Sequence, residues 1–133
     1  MPNPETELQD DIRDAIGTLP GVIVWRNNTG LATHCDCWRD CATPQACPSC
    51  GARLAPRGQL RRVRYGLAVG SSDLICCVDG AFLAGEVKTK GGRLSADQRN
   101  FIAAVQRAGG RAETWRSVED ACAGVEGARR WTK

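Results

Sequence analysis

The chain has 133 residues, a formal net charge of +3 and 42% hydrophobic residues, which sizes it for one domain whose core has little to spare. No apolar run approaches the ~20 residues of a membrane helix, and no charged-then-apolar segment opens the chain, so the reading has no membrane span or secretory signal and expects the cytoplasm. The net charge alone does not mark a nucleic-acid binder. Its distribution says more: Arg53, Arg57, Arg61, Arg62 and Arg64 crowd one segment, and guanidinium forks match phosphate geometry better than ammonium groups do.

Asn3 followed by Pro4 reads as an N-cap and first helical residue, and Leu8, Ile12, Ala15, Ile16 and Leu19 recur on one helical face until Pro20-Gly21. Residues 22–26 form a short β-rich run, broken by Asn27-Asn28-Thr29-Gly30. Residues 34–58 are rich in cysteine, proline and polar residues and have no periodicity, and residues 60–65 read as a short strand entering the glycine-rich stretch 66–70. A hairpin is expected from Asp73 to Thr89, with Asp79-Gly80 as its turn. Ser95 with Gln98 three residues on forms a capping box, and Gly109-Gly110 closes that helix. Residues 111–115 read as a final strand. Ser117 caps a last helix with Val118, Ala121, Cys122 and Val125 inward, and the tail after Gly127 is expected to fray. A strand–helix–strand crossover on a central hairpin gives the expected fold class: α/β, a small mixed central sheet flanked by helices.

The chemistry gathers on the hairpin. Side chains alternate along a strand, so Glu86 and Lys88 share a face while Val87 points into the core. Asp73 opens the paired strand, which brings two carboxylates and a lysine to one sheet edge. Carboxylate oxygens suit a hard divalent cation, and a neighbouring ammonium can orient water or neutralise phosphate charge. The competing reading is a surface ion pair between Glu86 and Lys88, contributing ~0–1 kcal/mol. Glu5 falls within the apolar face of the first helix, where a carboxylate is costly unless paired or metal-bound; the competing reading is early helix charge complementing the dipole. Gln98 lies on the inward face of its helix with Phe101, Ile102 and Val105, as a cap or as a partner of the site. Lys90 and Arg93, flanking a glycine pair after the catalytic strand, are candidate phosphate contacts.

These residues also carry a resemblance. The stretches Gly66-Leu-Ala-Val-Gly-Ser-Ser-Asp-Leu, Gly85-Glu-Val-Lys-Thr-Lys-Gly-Gly-Arg-Leu-Ser-Ala-Asp-Gln and Ala108-Gly-Gly-Arg resemble the VRR-NUC branch of the PD-(D/E)xK nuclease superfamily. Glu5-Thr-Glu-Leu-Gln and Trp25-Arg-Asn-Asn-Thr-Gly are similar to that family's opening helix and first strand. Ser72 stands where the superfamily has its signature proline, which shapes backbone rather than chemistry. The resemblance implies a restriction-endonuclease-like core and Mg²⁺ (or Mn²⁺) held by Asp73, Glu86, the carbonyl of Val87 and Glu5, with Lys88 positioning the attacking water and Gln98 near the metal. It also implies a substrate contact from Asn27 or Asn28; Arg26, at the end of the first strand beside the expected active face, and Ser71 or Ser72 are further candidate DNA contacts. Standalone members resembling this chain imply a homodimer acting on branched DNA, of Holliday-junction or flap type.

Five of the eight cysteines fall between Cys35 and Cys50, and Cys47-Pro-Ser-Cys50-Gly is a typical zinc-knuckle pentapeptide. Tetrahedral Zn²⁺ needs four thiolate or imidazole ligands, and a cytoplasmic chain is poor ground for disulfides. The expected set is Cys37, Cys41, Cys47 and Cys50, with Cys35 or His34 as substitutes, in a zinc-binding insertion at about 33–60 of a single domain spanning 1–133. Its job would be to staple a loop that presents Arg57, Arg61, Arg62 and Arg64 to a phosphate backbone. Cys76, Cys77 and Cys122 read as small buried hydrophobes. The expectation is therefore a Mg-dependent DNA endonuclease. The alternative is a zinc-ribbon nucleic-acid-binding adaptor whose nuclease-like core is catalytically idle.

Overall fold

The computed structural model describes residues 1, 3–35 and 60–131. They divide into two compact units, Met1–Asn27 with Leu67–Lys133 and, separately, Asn28–Gly66. Each is described by itself.

The first unit is the α/β body. Helix α1 (Pro4–Gly17) starts on the expected cap: the Asn3 side chain accepts the Glu5 N–H at 3.1 Å and Pro4 takes the first turn. Strand β1 (Val22–Arg26) and the hairpin strands follow, which are numbered β4 (Leu74–Val78) and β5 (Ala81–Val87) in chain order after the pair β2–β3 of the second unit. Asp79 at φ 48° and Gly80 at φ 90° make the tight turn between β4 and β5, the left-handed pair that matches hairpin twist. Helix α2 (Ala96–Arg107), strand β6 (Arg111–Trp115) and helix α3 (Val118–Trp131) complete the body. The sheet order is β1-β4-β5-β6, antiparallel except for the parallel β5–β6 pair, so the mixed sheet with flanking helices is as expected.

Strand alternation divides the core into two layers. Leu74, Cys76, Val78, Leu83, Val87 and Trp115 pack with Ile12 and Ile16 of α1 and with Ala121 and Val125 of α3. On the other face Ile75, Ala84 and Ala112 meet Phe101, Ile102 and Val105 of α2. Each fully buried aliphatic contributes ~1.5–3 kcal/mol. On this second face Ile23, Cys77 and Phe82 lie in register across β1, β4 and β5, and Ile23, Trp25 and Phe82 are exposed. Gly85 has a packing reason. The Trp115 ring lies directly on it, and a Cβ there would stand within the ring carbons Cε3, Cζ3 and Cη2.

Two expectations need correction. The tail does not fray after Gly127: α3 runs to Trp131, with Ala128 in the core. The apolar face simply continues at helical spacing from Ala121 through Val125 to Ala128, and the Arg129 guanidinium donates to the Pro20 carbonyl. The other correction concerns residues 34 and 35, expected in the irregular stretch 34–58, which lie in a strand. The second unit is an antiparallel pair of β2 (Gly30–Cys35) and β3 (Leu60–Tyr65), in register from Gly30↔Tyr65 to Cys35↔Leu60. Its pairing energy is long-range, so the local composition of β2 did not reveal it.

Candidate active site

The hairpin register decides where the acids meet. Leu74 pairs with Gly85, so the next positions outward, Asp73 and Glu86, stand together where β4 begins and β5 ends. Both have the parity of the α2-facing residues Ile75 and Ala84. Asp73 Oδ2 accepts the Val87 N–H at 2.9 Å, tying one acid to the backbone of the strand that carries the other. Lys88 continues the parallel ladder through its N–H to the Trp115 carbonyl at 3.0 Å.

The Glu86 side chain is 1% exposed and Lys88 Nζ lies 3.0 Å from its Oε1. The same ammonium stands 3.5 Å from Glu5 Oε1. Glu5 therefore does reach the site from α1, and it does so through Lys88. Gln98 Nε2 donates to Glu86 Oε1 while Gln98 Oε1 accepts the Ser95 N–H at 2.8 Å. The capping role and the site role of Gln98 are met at once, with the two ends of one amide. The structure thus brings together Asp73, Glu86, Lys88, Glu5 and Gln98.

The electrostatics are those of a carboxylate pair denied water. Burial first, then the charge of Asp73, push the Glu86 carboxyl up to about 7, against the hydrogen bond and charge of Lys88. Burial likewise raises Asp73, with the Val87 N–H and Lys88 opposing. Burial pulls Lys88 down, but the hydrogen bond and charge of Glu86, with Glu5 and Asp73, outweigh it and leave it above its ordinary value. Lys88 is thus a cation at any working pH, suited to orienting water and neutralising phosphate rather than to accepting a proton.

Among the described residues no group of three or more His, Cys, Asp or Glu is gathered to hold a metal by itself. Mg²⁺ ordinarily asks for less: one or two carboxylates, with waters and substrate phosphate completing its shell. The second oxygen of Glu86, Oε2, is buried and has no hydrogen-bond partner among the described residues, a costly state for a carboxylate unless a cation serves it. Asp73 and Glu86 fit.

The remaining candidates divide. Asn27 turns inward: its Nδ2 donates to Ser71 Oγ at 2.7 Å and to the Ser72 carbonyl at 2.9 Å, and its N–H reaches the Asp73 carbonyl at 2.7 Å. It clamps the turn that delivers Asp73. Ser72, expected on the DNA side, is fully buried, its hydroxyl without a partner among the described residues, and offers DNA no surface in this geometry; Ser71 is also buried. Arg26, Lys90 and Arg93 are exposed. Asn28, Arg62 and Arg64 are exposed in the second unit, and Arg61 lies in β3. His34 and Cys35 lie in β2. Cys37, Cys41, Cys47, Cys50, Arg53 and Arg57 lie outside the described residues. Cys76 is buried and its thiol is pushed up to about 12 by burial, then by Cys77, which makes it inert as a ligand.

One contributor was not found from sequence. Arg116 donates through Nη1 to the Thr89 carbonyl and through Nη2 to the Gly92 carbonyl, both at 2.8 Å. It closes the turn that carries Lys90 just after β5. No local signal marks it, because its partners lie 24 and 27 residues away. A groove of about 400 Å³ lined by Gln106, Arg111 and Glu113 lies along β6, and none of the site residues lines it.

Against known families, the VRR-NUC domain matches residues 3–119, from the N-cap of α1 into α3. No curated protein matches the chain.

Proposed function

Because the chain belongs to the VRR-NUC family of nuclease domains, we propose that it is a Mg²⁺- or Mn²⁺-dependent endonuclease that hydrolyses DNA phosphodiester bonds, with branched DNA as its substrate. The observation that carries this reading is the pairing of half-buried Asp73 with buried Glu86, whose Oε2 has no hydrogen-bond partner among the described residues and whose Oε1 lies 3.0 Å from Lys88 Nζ. Asp73, Glu86 and the Val87 carbonyl would hold the cation. When bound, it supplies positive charge to a non-bridging phosphate oxygen and acidifies water.

The chain's own residues supply the rest. Lys88, kept charged by Glu86 and Glu5, orients the attacking water and meets the charge that grows on the phosphate. The water oxygen forms the new bond to phosphorus and gives up a proton to solvent, the bond to the 3′ oxygen breaks, and that oxygen takes up a proton from solvent. The products are a 5′-phosphate and a 3′-hydroxyl. Gln98 and Lys88 both donate to Glu86 Oε1, which leaves Oε2 as its free face. Lys90 and Arg93 provide exposed cations just beyond the strand end for the flanking phosphates.

Branched DNA and a homodimer are supported by the resemblance to standalone family members, and a two-fold dimer suits paired cuts on a near-symmetric junction. Zn²⁺ at Cys37, Cys41, Cys47 and Cys50, with Cys35 or His34 as substitutes, would staple the segment between β2 and β3. Elemental analysis of protein purified without chelator tests that part; a zinc-free protein overturns it.

The experiment for the function is cleavage of matched linear duplex, flap and four-way-junction DNA with Mg²⁺ or with EDTA, followed by analysis of the product ends. Metal-dependent cutting, fastest on a branched substrate and leaving 5′-phosphates, is expected. Equal rates on all three substrates would remove the branched-DNA part.

A further inference from the structure

Ser95, at the N-cap of α2, is exposed, yet its hydrogen bonds decide what Glu86 meets. Ser95 Oγ accepts the Gln98 N–H at 3.1 Å, and the Ser95 N–H in turn occupies Gln98 Oε1 at 2.8 Å. A primary amide has one oxygen and one nitrogen. With the oxygen held by the cap, only Nε2 is left to face Glu86, and it donates to Glu86 Oε1. Released from the cap, the amide could turn its oxygen toward the carboxylate and repel it.

The same turn of α2 also bears on the other acid. Gly70, at φ 77°, lies so close to the first turn that a Cβ on it would stand 2.7 Å from Asp97 Cβ and nearer still to the Asp97 carbonyl. Three residues further on is Asp73, reached through Ser71 and Ser72, which Asn27 clamps. One helical turn therefore touches the carrier of each carboxylate, Glu86 through Gln98 and the Asp73 loop through Gly70.

We infer that the first turn of α2, from Ser95 to Gln98, is a brace that fixes Glu86 relative to Asp73, with Ser95 as a positioning residue for the cation-binding pair. The inference rests on the reading of that pair as a cation site. Groups behind metal ligands commonly set affinity in this way by holding the ligand's orientation.

The test is Mn²⁺ binding to the full chain without DNA, by calorimetry, with the melting temperature recorded for each protein. Ser95→Ala keeps the backbone N–H on Gln98 Oε1 but removes the Oγ that holds the Gln98 N–H; the loosened first turn should weaken Mn²⁺ binding about fivefold, equivalent to the ~1 kcal/mol of one helix cap. Ser95→Thr, which keeps a capping hydroxyl, should restore most of that loss. Gly70→Ala should weaken binding in the same direction by pushing the loop off Asp97. Glu86→Gln should weaken it by more than about tenfold.

If Ser95→Ala and Gly70→Ala bind Mn²⁺ as the wild type does while Glu86→Gln does not, the turn is only a helix cap and the brace is overturned. If Glu86→Gln also binds as the wild type does, the cation-site reading falls, and the brace with it. Should Ser95→Ala fail to fold, Gly70→Ala and Gln98→Ala carry the same expectation and the same refutation.

Discussion

Glu86 ties the stability of the metal-free protein to pH. Burial and the Asp73 charge raise its carboxyl from 4.5 to about 7. The native state therefore keeps a proton that the unfolded chain has already released. The stability contributed by that proton is complete below about pH 4.5 and drains away as pH rises to about 7. Lys88 is also raised, from 10.5, so its contribution is constant across this window. The gap from 4.5 to about 7, at ~1.4 kcal/mol per pH unit, corresponds to a loss on the order of 3 kcal/mol. Glu86→Gln removes the Glu86 part, while Asp73, whose carboxyl is also raised by burial, titrates in both proteins. The glutamine amide oxygen can still accept from Gln98 and Lys88, but it does not titrate. Urea unfolding of both proteins in EDTA between about pH 4.5 and about pH 8 measures the difference. The wild type should lose that much stability relative to the variant as pH rises, and saturating Mg²⁺ should shrink the loss by binding the ionised pair. A difference that stays flat across the range would refute the burial argument for Glu86.

Three further outcomes follow from the packing around the site. Gly85→Ala places a methyl group inside the Trp115 ring; overpacking that cannot relax should cost at least ~3 kcal/mol and lower the melting temperature by ~10 °C or more, and a wild-type melting temperature would contradict the contact. Ser72→Ala removes a buried hydroxyl that has no partner among the described residues, so the variant should gain ~1 kcal/mol in urea unfolding; a loss would show that the hydroxyl is served. Arg116→Ala frees the carbonyls of Thr89 and Gly92, and DNA affinity by fluorescence anisotropy should fall about fivefold, the ~1 kcal/mol of one such anchor. Mn²⁺ affinity should be unchanged in that variant, and wild-type DNA affinity would release the turn from any role in binding.

What sequence could reveal was whatever is written locally. The β4–β5 hairpin was legible because Asp79-Gly80 supplies the left-handed turn between two apolar runs, and that turn alone fixes which acids face each other. Glu5 was legible because an inward carboxylate on an apolar helix face needs a reason. The capping box at Ser95 was legible as a cap, and the resemblance put Gln98 near the site; that both ends of its amide act together was not. Interactions between distant segments left no such mark. Strand β2 forms because Gly30–Cys35 finds β3 across the intervening segment, and its own residues carry no alternation. Asn27 reads as a turn residue, while its contacts with Ser71 and Ser72 span 44 and 45 residues. The tail after Gly127 carries no local sign of order, yet Ala128 continues the buried stripe.

The most direct test of the carboxylate pair as a nuclease centre is cleavage of a four-way-junction DNA by the wild type and by Asp73→Ala, each with Mg²⁺ and with EDTA, with DNA binding measured alongside. The wild type should cut only with Mg²⁺. Asp73→Ala should bind the DNA yet cut at least ~100-fold more slowly, since the lost cation contact supplies several kcal/mol at ~1.4 kcal/mol per tenfold in rate. Cutting by Asp73→Ala at the wild-type rate, or binding by the wild type without any metal-dependent cutting, would contradict it.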